Sequence, residues 1–114
     1  MRLLSGQRAF VLQRLGALVM LAYLAGAALW LAFGPAPTFS RWQGWSAQPL
    51  AAVALLVLTA AVLGHAWVGL RDVALDYVRP LALRLAVLGA VAVLLAGLAA
   101  WTTLIVFSHL FAIV

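Results

Sequence analysis

Pro49 to Leu70 reads PLAAVALLVLTAAVLGHAWVGL, an apolar run interrupted only by Thr59 and His65. A bilayer core about 30 Å thick takes roughly 20 residues of helix at about 1.5 Å each, so this run is long enough to cross it. Two more stretches have the same character. Leu15 to Phe33 is uncharged, and the stretch from Pro80 to Val114 carries Arg84 near its entrance and no formal charge beyond it. The sequence therefore predicts an all-α integral membrane protein of three transmembrane helices, over about residues 12–33, 49–71 and 80–107, in a single domain covering 1–114.

Composition points the same way. Hydrophobic residues make up 68% of the chain, against seven cationic and two acidic side chains. A soluble domain this short needs far more polar surface to cover its core, so lipid must be part of the solvent. The formal charge of +5 comes entirely from Arg residues scattered between apolar runs. They form no basic stripe, which argues against a nucleic-acid partner. With no Cys, the chain holds neither an iron–sulfur cluster nor a disulfide. A redox role would need a cofactor held by His or shared with a partner.

The boundaries follow from backbone chemistry. Gly34-Pro35-Ala36-Pro37 ends the first span, because proline lacks a donor and clashes with the preceding turn. Pro80 suits the first turn of the third, where its missing N–H costs nothing. Arg8, Arg14 and the small residues Ala25-Gly26-Ala27 imitate a signal peptide with its cleavage site, but the apolar run continues to Phe33 and reads as a retained span.

Arg2, Arg8 and Arg14 precede the first span, and Arg71, Arg79 and Arg84 surround the connection between the second and third. Three crossings put both groups on one side, with Arg41 alone on the other. The positive-inside rule then predicts a cytoplasmic N-terminus and an external C-terminus. Trp30, Trp42, Trp45 and Trp101 fall near the expected outer boundary, where indole rings prefer to sit.

His65 is the ionisable residue at depth, about 7–8 Å inside the expected cytoplasmic end of its span. Its neighbours one turn away are Ala61 and Gly69. A porphyrin lies perpendicular to its iron–imidazole bond and spreads over adjacent turns, so small residues there leave it room. The other reading is a neutral imidazole bonded to a neighbouring helix. His109 lies near the opposite end of the third span, more than about 30 Å away along the membrane normal, and cannot share one haem with His65. A second histidine ligand would have to come from another chain.

Asp72, Asp76 and Tyr77 lie in the connection that follows. The Tyr77 phenol can donate to a quinone carbonyl, and Asp76 can relay protons; an interfacial aromatic anchor and a solvated ion pair are the alternatives. Arg14 either snorkels at the entrance of the first span or neutralises haem propionates, with Arg8 a second candidate for that role.

The stretch His65-Ala66-Trp67-Val68-Gly69-Leu70, followed by Asp76-Tyr77-Val78-Arg79-Pro80-Leu81-Ala82-Leu83-Arg84-Leu85, resembles the smaller hydrophobic (D-type) membrane anchor subunit of bacterial succinate dehydrogenase. The close match covers about a fifth of the chain, and the three-span layout extends it over most of the length. The resemblance implies that His65 is an axial ligand of haem b, the other ligand coming from a cytochrome b556 (C-type) subunit with three helices of its own. It implies that Tyr77 hydrogen-bonds a quinone carbonyl with Asp76 beside it, and that Arg14 lies near the haem propionates. Arg8 stands where the enterobacterial type has His, which keeps a charge role and puts proton shuttling in doubt. The further partners implied are an iron–sulfur subunit and a flavoprotein subunit, assembled at the bacterial inner membrane. A fumarate reductase-type anchor, a cofactor-free structural subunit and a small channel component are the competing readings. The channel reading is weakened by the lack of a polar face able to line a path.

Overall fold

The computed structural model describes residues 6–112; Arg2, counted above with the N-terminal cations, and Val114 lie outside the described residues. Among the described residues four helices follow one another: α1 (Gln7–Phe33), α2 (Phe39–Ser46), α3 (Pro49–Tyr77) and α4 (Leu81–Phe111). Three of them, α1, α3 and α4, are long and apolar enough to cross a membrane. Their 27, 29 and 31 residues correspond to rods of roughly 40–46 Å, so each overruns a bilayer core and must tilt or protrude. α3 runs six residues past the end expected at residue 71, carrying Asp72, Asp76 and Tyr77 on helix instead of loop.

Helix ends follow local chemistry. α1 stops at Phe33, and the Gly34 N–H returns to the Trp30 carbonyl at 3.0 Å. Pro49 occupies the first turn of α3. Pro80 stands one place before α4 begins, and its carbonyl accepts the Arg84 N–H at 2.9 Å. The Arg84 side chain secures the same corner, its Nε donating to the Val78 carbonyl at 2.9 Å. The short α2 was not expected. Thr38 caps it by accepting from the Arg41 N–H at 3.3 Å, a signal readable as an N-cap but set against only eight following helical residues, one of them Gly44.

α3 is the middle element: it packs against α1 on one side and α4 on the other, and among the described residues α1 and α4 do not meet. The contacts are made by small residues. Ala9 and Gly16 are buried on α1, Ala51, Ala52, Val68 and Ala74 on α3, and Val106 on α4. Large side chains such as Leu18, Leu24, Leu83 and Leu94 face outward. That inversion suits a lipid solvent, in which close backbone approach holds helices together and burial of leucine gains little. Hydroxyls within the long helices turn back on their own backbone: Thr59 to the Leu55 carbonyl, Thr103 to Ala99 and Ser108 to Ile105, each at 2.8 Å. His65 behaves differently, because it reaches across to another helix.

Candidate functional site

The crossing of α1 over α3 is set by Gly16. A β-carbon there would stand 3.3 Å from the Ala61 carbonyl oxygen and 3.6 Å from the His65 β-carbon. Glycine lets the two backbones approach closely enough for His65 to meet Gln13, one turn before Gly16 on α1. The Nδ1 of His65 lies 3.4 Å from the Gln13 backbone oxygen. Its Nε2 lies 3.5 Å from the side-chain amide nitrogen of the same residue.

These two contacts agree on one tautomer. A carbonyl oxygen only accepts, so Nδ1 carries the proton and donates to it; an amide nitrogen only donates, so Nε2 presents its lone pair. The carbonyl has a second lone pair for this, beyond the one its own helix uses. Rotating the carboxamide by half a turn would set acceptors against both ring nitrogens, only one of which a neutral imidazole can satisfy. The cost of the observed arrangement is that Gln13 Oε1 is buried without a hydrogen-bond partner.

The space expected beside Ala61 and Gly69 is occupied by α1. Gly16 covers Ala61, and a β-carbon on Gly69 would meet the Gln13 amide nitrogen at 3.8 Å. The small residues here admit a neighbouring helix of the same chain. The imidazole alone has the donor chemistry of a haem ligand. A metal-bound imidazole commonly donates its other N–H to a backbone carbonyl, as Nδ1 does here, leaving Nε2 for iron. A macrocycle reaching Nε2 would have to displace both the Gln13 carboxamide and the stretch of α1 that covers Ala61 and Gly69.

The remaining candidates are spread out. Arg14 is exposed, its guanidinium carbon 4.9 Å from the centre of the Phe10 ring. Arg8 is exposed beside Val11, Leu12 and Leu15. Six residues of helix turn Arg8 and Arg14 about 120° apart around α1, so they serve different sides. Tyr77 is 80% exposed at the end of α3, and Asp76 is exposed next to it. Asp72 pairs with Arg71 at 3.0 Å. Along α3, Asp76 lies about 16 Å from His65 and on nearly the same face, whereas Tyr77 lies about 18 Å away and about 120° around the helix. The fold brings His65 to Gln13; it leaves Tyr77 and Asp76 at the end of the same rod, open to other molecules.

Sequence reasoning missed two features. Gln13 falls inside the expected first span, where an amide is almost as conspicuous as an imidazole, and that was the available signal. The second is a cavity of about 840 Å³ between α1, α2 and α3, lined by Tyr23, Gly26, Trp30, Trp42, Trp45 and Leu58 among others. Three of the tryptophans expected at one boundary come together around it, with ring centres 6.4 Å apart for Trp30–Trp45 and 5.3 Å for Trp42–Trp45. The Arg41 guanidinium lies 4.1 Å from the Trp30 ring centre and also donates to the Pro35 carbonyl. Nothing in the sequence marked this space, because its roof is the unexpected α2.

No protein-family model matches the chain.

Proposed function

We propose that the chain is the membrane-anchor subunit of a succinate:quinone oxidoreductase in a bacterial inner membrane. It shares haem b with a three-helix cytochrome b556 subunit and helps form the quinone pocket supplied by the iron–sulfur subunit. The reading begins with the resemblance of residues 65–70 and 76–85 to the D-type anchors. The observation that carries it is the held imidazole: Nδ1 is committed to a backbone carbonyl, so His65 offers Nε2, the nitrogen an iron would take. In this reading Arg14, with Arg8 as a second candidate, faces the propionates. In the same reading the N-terminus and the α3–α4 connection are cytoplasmic, the orientation the positive-inside rule predicts. Succinate is oxidised in the flavoprotein subunit, and electrons cross the iron–sulfur subunit to a quinone whose carbonyl accepts from the Tyr77 phenol. Asp76, exposed to the same side, supplies protons. A fumarate reductase-type anchor would use the same parts in the opposite direction.

One experiment separates this from its main rival. The complex containing the chain is expected to show a low-spin b-type haem spectrum that His65→Ala removes or strongly alters, with the other subunits still present. An unchanged spectrum rules out ligation by His65. The rival reading is a cofactor-free structural subunit, and it has its own observation: both ring nitrogens of His65 already have partners on Gln13. It predicts no haem in the purified complex.

A further inference from the structure

We propose that the cavity under α2 is a binding site for one anionic glycerophospholipid of the surrounding bilayer, its acyl chain among the tryptophans and its phosphate on Arg41. This site stands apart from the haem and quinone reading above and does not need it.

The walls set the depth and the chemistry of the occupant. Trp30, Trp42 and Trp45 stand around the cavity, and a cluster of indoles marks the level where headgroups meet hydrocarbon. Tyr23 and Gly26 line it one to two turns further down α1, so the space runs about 10 Å from that level into the bilayer. At about 840 Å³ it is as large as sites that take whole small molecules, roughly 300–1,000 Å³. Leu31, Phe39 and Trp42 are lining residues and also exposed, so the cavity opens to the side of the bundle, where lipid stands. Walls this apolar give water too few hydrogen-bond partners and suit hydrocarbon.

Charge selects the headgroup. Arg41 is the sole formally charged side chain between Arg14 and Arg71 in the sequence. Both acidic residues, Asp72 and Asp76, lie near the far end of α3. Among the described residues Arg41 therefore has no carboxylate side chain to neutralise it. Its guanidinium is nonetheless seated, with its carbon 4.1 Å from the Trp30 ring centre and one nitrogen donating to the Pro35 carbonyl. That contact leaves most of the five N–H donors for phosphate oxygens, which the arginine fork suits. Trp30 joins the two halves of the site, being a wall of the cavity and the platform under the cation. A molecule with a hydrocarbon tail and an anionic head meets both parts at once, and every anionic phospholipid is such a molecule. A zwitterionic lipid brings the same tail and phosphate but sets its own cation beside Arg41.

The test uses the full-length chain in phosphatidylcholine nanodiscs. Trp67→Phe and Trp101→Phe form the background, so that emission comes from the three cavity tryptophans. A small, equal fraction of the lipid carries bromine on an acyl chain, a contact quencher of indole, and is either phosphatidylglycerol or phosphatidylcholine. Brominated phosphatidylglycerol should quench with about fivefold higher apparent affinity, the weight of one arginine at an anionic surface. Arg41→Gln should erase that preference and Arg41→Lys keep most of it. Gly26→Leu places a side chain at the cavity wall, where a β-carbon meets open space, and should cut quenching by both lipids. A second measurement needs no substitution: phosphatidylglycerol added to the wild-type chain in detergent should raise its midpoint of thermal unfolding more than phosphatidylcholine does.

Equal quenching by the two lipids overturns the proposal, and so does a preference that survives Arg41→Gln. Quenching untouched by Gly26→Leu puts the acyl chain outside the cavity and overturns it as well. No quenching by either lipid means that protein covers the cavity, a partner helix or a second copy of the chain, and has the same consequence. If the variants fold poorly, a wild type that gains no more stability from phosphatidylglycerol than from phosphatidylcholine is enough to overturn the site.

Discussion

Gly16 on α1 lies so close to Ala61 on α3 that an added β-carbon would be 3.3 Å from the Ala61 carbonyl oxygen, and the helices would have to give way to admit it. Both His65 contacts depend on this approach, since Gln13 reaches His65 only where the two backbones nearly touch.

Gly16→Val should push α1 away from α3 and break both His65 contacts. Overpacking a tight interface costs about 1–3 kcal/mol. The expected result is a lower midpoint of thermal unfolding in detergent, with Gly16→Ala intermediate because only one carbon must be accommodated. Equal stability of all three proteins would show that α1 slides freely on α3.

Gly34 is irreplaceable for a different reason. Its backbone conformation is ordinary, with φ near −84°, but a β-carbon would collide with the Trp30 carbonyl oxygen and stand 2.7 Å from an Arg41 guanidinium nitrogen. Gly34→Ala should unseat Arg41 from the Trp30 ring and the Pro35 carbonyl. Trypsin should then cut after Arg41 faster than in wild type, and the tryptophan emission should shift. A cleavage rate matching wild type would mean that the guanidinium is not held by this seat.

Tyr77 is so exposed that its phenol contributes little to the fold of this chain. Tyr77→Phe should change stability by no more than about 0.5 kcal/mol. In the proposed complex it should lower quinone reductase activity and leave succinate-dependent dye reduction by the soluble subunits intact. A parallel fall in both activities would place the effect in assembly instead of quinone contact.

The long helices were legible because they depend on a property summed over many residues. Leu15–Phe33, Pro49–Leu70 and the run after Pro80 announce themselves by length and lack of charge, and no single neighbour can overturn such a signal. α2 was not legible. Its eight residues carry Trp42, Gln43 and Gly44, a composition equally at home in a loop, and it depends on the Thr38 cap and on resting against α3 and α4. His65 stood out as the imidazole in an apolar run, but the small residues around it were open to two readings. Ala61 and Gly69 leave room for any close neighbour, and composition does not say whether that neighbour is a macrocycle or a helix.

The sequence by itself determined that three apolar helices would form and that His65 would lie within one of them, because the cost of exposing peptide groups to lipid leaves an apolar run no alternative to helix. Which nitrogen of that histidine is held, and by what, was decided only in three dimensions. Gln13 and His65 are separated by an entire helix and a connection. Their meeting depends on where α1 crosses α3, and that register is chosen by a glycine whose role is visible only when the opposing carbonyl is in place.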